Sequence, residues 1–204
     1  MIPKIIHQIW LGDKPKPEMM QTWIDKNPDY EYKLWTEDNL PELVAPVHFH
    51  ACPSLAGKSD ILRYQLLLMY GGIYIDADCE CITPLTDDLL DNDSFCCWEN
   101  EYVRNGLMAN TVLGAIPDCK LMVKLIDAIR ARNNMNYPEG DTWIHTGPGL
   151  LTDTVNQLVY NDIYIYPSHY FIPKHYMGIE YKGNKVIYCK HHFGSTPDSE
   201  YDYG

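Results

Sequence analysis

Two aspartates, Asp76 and Asp78, end an apolar run from Ile73 to Ile75, with only small Ala77 between them. Lone charges beside a buried strand are heavily penalised, and two carboxylates this close repel unless a proton or a cation lies between them. The economical reading is a divalent-cation site at the C-terminal edge of a sheet. Residues i and i+2 of a strand share a face, so both carboxylates can address one ion. Hard oxygen donors suit Mg2+ or Mn2+, ions that keep water and also bind substrate phosphates. The competing view is a solvated acidic turn, which the apolar run and the Gly71-Gly72 pair before it disfavour.

Further candidates lie around this pair. Asp60 and Arg63 are spaced i and i+3 on an expected helix and share one of its faces. Alone they would be a surface ion pair of little worth, but their helix leads straight into the acidic pair. Lys190-His191-His192-Phe193-Gly194-Ser195 follows a late strand; one of the histidines could ligate a metal or touch a phosphate. His7, Gln8 and Trp10 sit on the first strand, and open α/β sheets bind ligands beyond the carboxyl ends of their strands. An aromatic ring there can stack on a base. Thr146-Gly147-Pro148-Gly149 opens a helix whose first amides could meet an anion.

The elements that must position these residues follow from periodicity and punctuation. Strands are expected over residues 4–10, 30–35, 73–76, 95–98, 107–109, 163–166 and 185–189. Helices are expected over residues 18–26, 37–45, 59–70, 119–131 and 147–158. The helix over 59–70 should be capped by Ser59 or Asp60 and stopped by Gly71 and Gly72. The helix over 119–131 carries Leu121, Met122, Leu125, Ile126 and Ile129 on one stripe. Strands alternating with helices through the first half predict an α/β fold. With no internal repeat and no linker, a single domain over residues 1–195 is expected, followed by a flexible tail over 196–204.

The bulk numbers bound the function. A chain of 204 residues can bury one sizeable core. Its net charge of −12 argues against a nucleic-acid partner, which wants a basic face. The same charge makes an anionic small molecule awkward unless a metal or a local basic cluster neutralises it. No stretch approaches the roughly 18 apolar residues of a membrane span, and the first residues read as a strand, not a secretory signal. The seven cysteines fit neither a disulfide framework nor zinc pairs. Reduced, buried thiols in a cytoplasmic protein are expected.

IPKIIHQIW, KSDILRYQLLLMYGGIYIDAD, NTVLGAIP, TGPGLLT and HHFGS, in this order, resemble the DXD sugar transferases of glycosyltransferase family 32. These are relatives of yeast initiating α-1,6-mannosyltransferases and of bacterial capsular-polysaccharide enzymes. The match runs from about residue 2 to 195. It implies a GT-A fold, a mostly parallel, Rossmann-like sheet binding a nucleotide-diphosphate sugar, with retention of configuration and dependence on Mn2+ or Mg2+. It implies that Asp76 and Asp78 are the DXD pair, flanking Ala77, with Asp78 on the metal and Asp76 between ribose and metal shell. Asp60 and Arg63 would hold sugar hydroxyls beside Tyr74, and Asn110 would sit near the transferred sugar. His7, Gln8, Ile9 and Trp10 would form the nucleoside pocket, with Gly147 as a further donor contact. The family's C-terminal His and Ser map onto His192, a metal ligand, and Ser195, a donor contact. Thr196 stands where the family has Trp, so one aromatic contact closing over the donor is missing. The family's fungal members carry an N-terminal membrane anchor that this sequence lacks, so a bacterial or viral cytoplasmic enzyme is expected.

Such an enzyme would move a hexose from a UDP-sugar, or from GDP-mannose, to a hydroxyl of a glycan or glycoconjugate. Arg63, Asp78 and Asn110 would be its catalytic groups. Retention could come from front-face attack with the departing phosphate as base, or from double displacement through Asp141, Asp153 or another acid. Two other classes share the motif. A haloacid-dehalogenase-type phosphatase would use Asp76 as nucleophile, and a silent module would bind the nucleotide sugar without turnover. Aryl-phosphate hydrolysis against nucleotide-sugar hydrolysis separates these.

Overall fold

The computed structural model describes residues 1–132, 135–158 and 163–194. In chain order its elements are β1 (Ile5–Ile9), α1 (Gln21–Lys26), β2 (Glu31–Trp35), α2 (Pro46–Ala51), α3 (Leu55–Tyr70), β3 (Gly72–Ile75), β4 (Cys79–Cys81), β5 (Ser94–Asn100), β6 (Arg104–Ala115), α4 (Lys120–Arg130), α5 (Thr142–His145), α6 (Pro148–Gln157), β7 (Tyr164–Tyr166) and β8 (Cys189–His191). Six strands form one sheet in the order β2-β1-β3-β6-β5-β7. β1 pairs parallel with β2 and β3, and β5 pairs parallel with β7. β6 runs antiparallel to both its neighbours. The architecture is α/β, as the alternation of patterns predicts.

Both faces of the sheet are covered. Ile73 and Ile75 of β3 join Ile6, Trp23, Phe95, Val112 and Phe171 in one core. Tyr74, between them, joins Leu62, Leu66, Leu113, Met122 and Ile126 in the other. A strand buried on both sides must read as a continuous apolar run, and all of β3 is buried. The stripe expected on α4 is buried as a unit, Leu121, Met122, Leu125, Ile126 and Ile129. All seven cysteines are free and buried. Among the described residues no helix is long and apolar enough to cross a membrane.

Several boundaries differ from expectation, each for a physical reason. α3 starts four residues early. Its cap is Ser54, whose side chain accepts from the Gly57 amide, and not Ser59 or Asp60. Asp60 and Arg63 therefore lie inside the helix and are buried. The helix expected over 37–45 is one 3-10 turn, Glu37–Asn39, closed by a Thr36/Asn39 capping box. The real helix there, α2, begins with Pro46 at its first position, where a missing N–H costs nothing. The late strand expected over 185–189 is β8, which pairs antiparallel with short β4 in a second sheet. Ser195 and the tail expected over 196–204 lie outside the described residues.

Candidate functional site

The acidic pair does not sit on a strand. β3 ends at Ile75, and residues 76–78 form a turn closed by the Cys79 amide donating to Asp76 O at 3.1 Å. The turn, not the period of two, brings the carboxylates together. The Asp76 amide still donates to Thr111 O of β6 at 2.9 Å, so the sheet fixes where the turn begins. Ala77 is buried between the two acids.

Asp76 is tied from the helix side. Tyr74 Oη donates to its Oδ1 at 2.7 Å, and Arg63 Nη1 lies 3.1 Å from the same oxygen. This is no free carboxylate, which counts against Asp76 as the nucleophile of a phosphatase. Arg63 also reaches Asp60 Oδ1 at 3.1 Å, donates to Asn110 O at 2.7 Å, and stacks 4.3 Å over the Tyr74 ring. Burial opposes its charge, but Asp76, Tyr74 and Asp60 together push its pKa up. Asp60 accepts from Asn110 Nδ2 at 2.7 Å and from Thr146 Oγ1 at 2.9 Å. Burial raises its carboxyl pKa against the pull of Arg63. Tyr64 Oη accepts from Asn110 Nδ2 and donates to Thr146 O. Gly147 closes this network: a Cβ there would stand 3.2 Å from Asp60 Oδ2. Asp60, Arg63, Tyr74, Asp76, Asn110 and Gly147 are thus one assembly. Tyr64 completes it unforeseen, because it has no distinctive spacing, and Thr146 of the TGPG segment joins through its hydroxyl.

Asp78 is tied from the C-terminal side. Gly194 N donates to its Oδ2 at 2.7 Å, and His191 Nε2 lies 3.2 Å from its Oδ1. Burial disfavours the charge, but His191 and the Gly194 amide outweigh burial and hold the Asp78 pKa at about 2. For His191 burial likewise works against charge, and Asp78 overrides it and raises the pKa. The histidine at the acidic pair is therefore His191, where the family motif pointed to His192. β8 pairs His191 with Cys79, and alternation turns His192 away to Glu80 Oε2 at 3.2 Å.

The β1 residues divide. Gln8 Nε2 donates to Asp76 O at 3.1 Å, and Gln8 accepts from Tyr32 Oη at 2.8 Å. Trp10 lies just past the strand end, its indole N–H on Lys14 O. Ile9 is core, and His7 is sealed at 0% exposure against the Trp35 and Tyr70 rings. His7 therefore supports the scaffold and makes no surface for a nucleoside. Of the acids considered for double displacement, Asp153 is exposed on α6 and Asp141 half-buried at the start of α5.

The site suits a cation. Asp78, Cys79 and His191 offer ligand atoms within 4.8 Å of one another, and Asp76 Oδ2 lies 4.0 Å from His191 Nε2. Burial pushes the Cys79 thiol well up, so it stays protonated and adds little. The remaining set, two carboxylates and an imidazole, fits a hard to borderline divalent ion. His191 Nδ1 is buried with no hydrogen-bond partner among the described residues, and the Phe193 ring packs 4.1 Å from the imidazole.

The family model for the glycosyltransferase sugar-binding region containing a DXD motif matches residues 15–96. Inositol phosphoceramide mannosyltransferase 3 of Schizosaccharomyces pombe is 31% identical over 165 residues, covering 74% of this chain and 44% of the relative. Inositol phosphoceramide mannosyltransferase 2 of the same yeast is 35% identical over 162 residues, covering 72% and 44%. The chain thus spans less than half the length of these two relatives. The solved PaToxG glycosyltransferase superposes with a TM-score of 0.57 at 22% identity, covering 78% of this chain and 70% of that one, and shares the GT-A fold.

Proposed function

Because the chain belongs to the family of glycosyltransferases with a DXD-containing sugar-binding region, we propose that it transfers a hexosyl group from a nucleotide-diphosphate sugar to a hydroxyl of a glycan or glycoconjugate, retaining configuration. The catalytic unit is residues 1–195. The observation that carries the proposal is the junction of two assemblies at one turn. Asp60 and the Asn110 carbonyl hold Arg63, which with Tyr74 reaches Asp76, and His191 and Gly194 converge on Asp78.

Asp76, Asp78 and His191 would hold Mn2+ or Mg2+. The ion, when bound, supplies Lewis-acid stabilisation of the charge on the departing diphosphate. Arg63, kept charged by three neighbours, adds a fixed positive group beside the same position. Asp60 and Asn110, already aligned by mutual hydrogen bonds, present oxygen and nitrogen to the hydroxyls of the donor sugar. Trp10, at the end of β1, faces the nucleoside, while Gln8, as buried as His7, holds the Asp76 carbonyl from beneath. His191 takes the metal position that the resemblance gives to His192, and Ser195 keeps the donor contact that the resemblance implies. Front-face attack with the departing phosphate as base accounts for retention.

The two yeast relatives are named for mannosyl transfer to inositol phosphoceramide. That supports a mannosyl donor, so GDP-mannose is placed ahead of a UDP-sugar, and a ring hydroxyl as acceptor. The test is nucleotide release from GDP-mannose and from UDP-hexoses by the purified chain with Mn2+. Asp78→Asn should reduce turnover by at least about 100-fold, roughly 3 kcal/mol of transition-state stabilisation, while keeping a cooperative melt. Full activity in that variant, with an unchanged melt, would remove the scheme.

A further inference from the structure

The residues around the Asp76–Asp78 turn close into a ring, and only half of it belongs to the donor assembly. The other half starts at Gly147, where a Cβ would stand between Asp60 Oδ2 and the Trp143 Cα, at 3.2 and 3.0 Å. The Arg104 guanidinium lies 5.5 Å over the Trp143 ring and donates through Nη2 to Tyr176 Oη at 2.8 Å. The Tyr176 ring meets Phe193 edge-on at 5.3 Å, and Phe193 lies 4.1 Å from His191, which returns to Asp78. Three elements distant in sequence, β6, α5 and the segment before β8, thus supply one continuous wall.

This wall has an unusual composition. Trp143 and Tyr176 are 44% and 45% exposed, large rings left partly open to solvent. Beside them the Glu99 carboxylate is nearly buried. His175 accepts from the Met177 amide at Nδ1, so its Nε2 carries the proton and donates to Glu99 Oε1 at 3.0 Å. Arg104 Nε lies 3.7 Å from the same oxygen. Both contacts fall on Oε1 and fix the carboxylate in place, and Oε2 carries neither. These two partners make a nearly buried carboxylate tolerable here, and they hold it beside the open aromatic rings.

We propose that Trp143, Tyr176, Arg104 and Glu99 form the acceptor subsite, and that it takes a neutral pyranose or cyclitol ring. The apolar C–H face of such a ring packs on the Trp143 and Tyr176 rings, and its hydroxyls donate to Glu99 and accept from Arg104. The combination of aromatic surface and a few fixed polar groups is how a small-ligand site sets orientation. A carboxylate at its centre disfavours an anion and favours a hydroxyl donor. The subsite rests on the transferase reading, since it acquires its meaning from adjoining Asp60 at Gly147 and Asp78 through Phe193 and His191.

The test is saturation-transfer NMR with methyl α-D-mannopyranoside and myo-inositol on protein loaded with Mg2+ and a nucleoside diphosphate. Nucleotide uptake is read separately, as a shift in melting temperature. At least one ring should bind. Trp143→Ala and Glu99→Gln should each weaken it at least 10-fold, Trp143→Phe should recover part of the loss, and KM for that ring in the transfer assay should rise in step. A ring that binds wild type and both variants equally overturns the subsite. So does the failure of both rings to bind a protein that has taken up nucleotide. Absence of any nucleotide-dependent melting shift, with Mg2+ or Mn2+, counts instead against the transferase reading itself.

Discussion

His7 has fixed roles for both ring nitrogens. Nδ1 faces the Trp35 indole N–H at 3.1 Å, a donor with no acceptor capacity, so Nε2 must carry the proton and donates to Gly71 O at 2.8 Å. A proton added at Nδ1 would meet another donor inside a closed aromatic stack. Burial therefore lowers the pKa from 6.5 to about 4. Between these values the unfolded chain binds a proton that the folded chain refuses, so stability must rise with pH there. The contribution is complete above about pH 6.5 and is lost as pH falls toward 4. The full span is roughly 3 kcal/mol, at 1.36 kcal/mol for each pKa unit. Urea midpoints from pH 4 to 7 should show this slope in wild type. His7→Gln, whose amide can accept from Trp35 and donate to Gly71 without titrating, should flatten it. Equal slopes in both proteins would show that His7 does not titrate as its burial dictates. Single residues were unevenly legible. The Asp60, Arg63, Asp76, Asp78 set stands out because its members lie within 19 positions and their order carries the chemistry. His7 was legible as a residue of the first strand but not as core, because its partners Trp35 and Tyr70 are remote in sequence. The choice between His191 and His192 depends on the pairing of β4 with β8, which neither strand is long enough to announce.

At the scale of elements, the joint between α3 and β3 does most to aim the acidic turn. The helix ends at Tyr70 and the strand begins at Gly72, so no loop absorbs error. Gly72 has φ +99, and a Cβ there would stand 2.6 Å from Ile5 O of β1 and 3.1 Å from His7 Nε2. A side chain at this position meets forbidden backbone and a colliding neighbour strand together. Gly106 has φ +84 with nothing within 4 Å, so it isolates the first effect. Gly106→Ala should cost about 1 kcal/mol, and Gly72→Ala at least about 2 kcal/mol more, since the strand must shift. Chemical denaturation of both variants measures the difference, and equal losses would mean that β1 and β3 are not held at this spacing. The helix stop was readable in the sequence from the paired glycines, and β3 from its apolar run. The start of α3 was not. Asp60, Arg63 and Gln65 are buried polar residues, so they break the apolar stripe where periodicity would reveal the first turns. Gly57 in the first turn is a poor helix former and hides the Ser54 cap whose hydroxyl it donates to. The same buried polar residues that obscured the helix build the candidate site.

At the scale of the molecule, an acidic protein of net charge −12 is proposed to bind an anionic donor. Two accounts of how it does so differ in range. If the obstacle is the diffuse field of all the carboxylates, monovalent salt should remove it, because the screening length falls from about 10 Å at 0.1 M to about 3 Å at 1 M. If the obstacle is the pair Asp76 and Asp78 at the turn, salt cannot help. Only an ion held between them reverses the local sign. The geometry favours the second. The two carboxylates are mostly buried, Arg63 is already committed to Asp60 and Asp76, and His191 is committed to Asp78. The positive groups of this assembly are matched by its own carboxylates, so without a metal they leave no net positive charge for a diphosphate. Melting curves with GDP or UDP at 0.05, 0.15 and 0.5 M NaCl, each with EDTA or with 1 mM Mn2+, separate the two. At a nucleotide concentration 100 times Kd the bound state gains about 2.7 kcal/mol, which for a chain of this size is a rise of roughly 5–10 °C. The rise should appear with Mn2+ at every salt concentration and be absent with EDTA at all of them. A rise that grows with salt in EDTA would transfer the discrimination from the acidic turn to the overall charge.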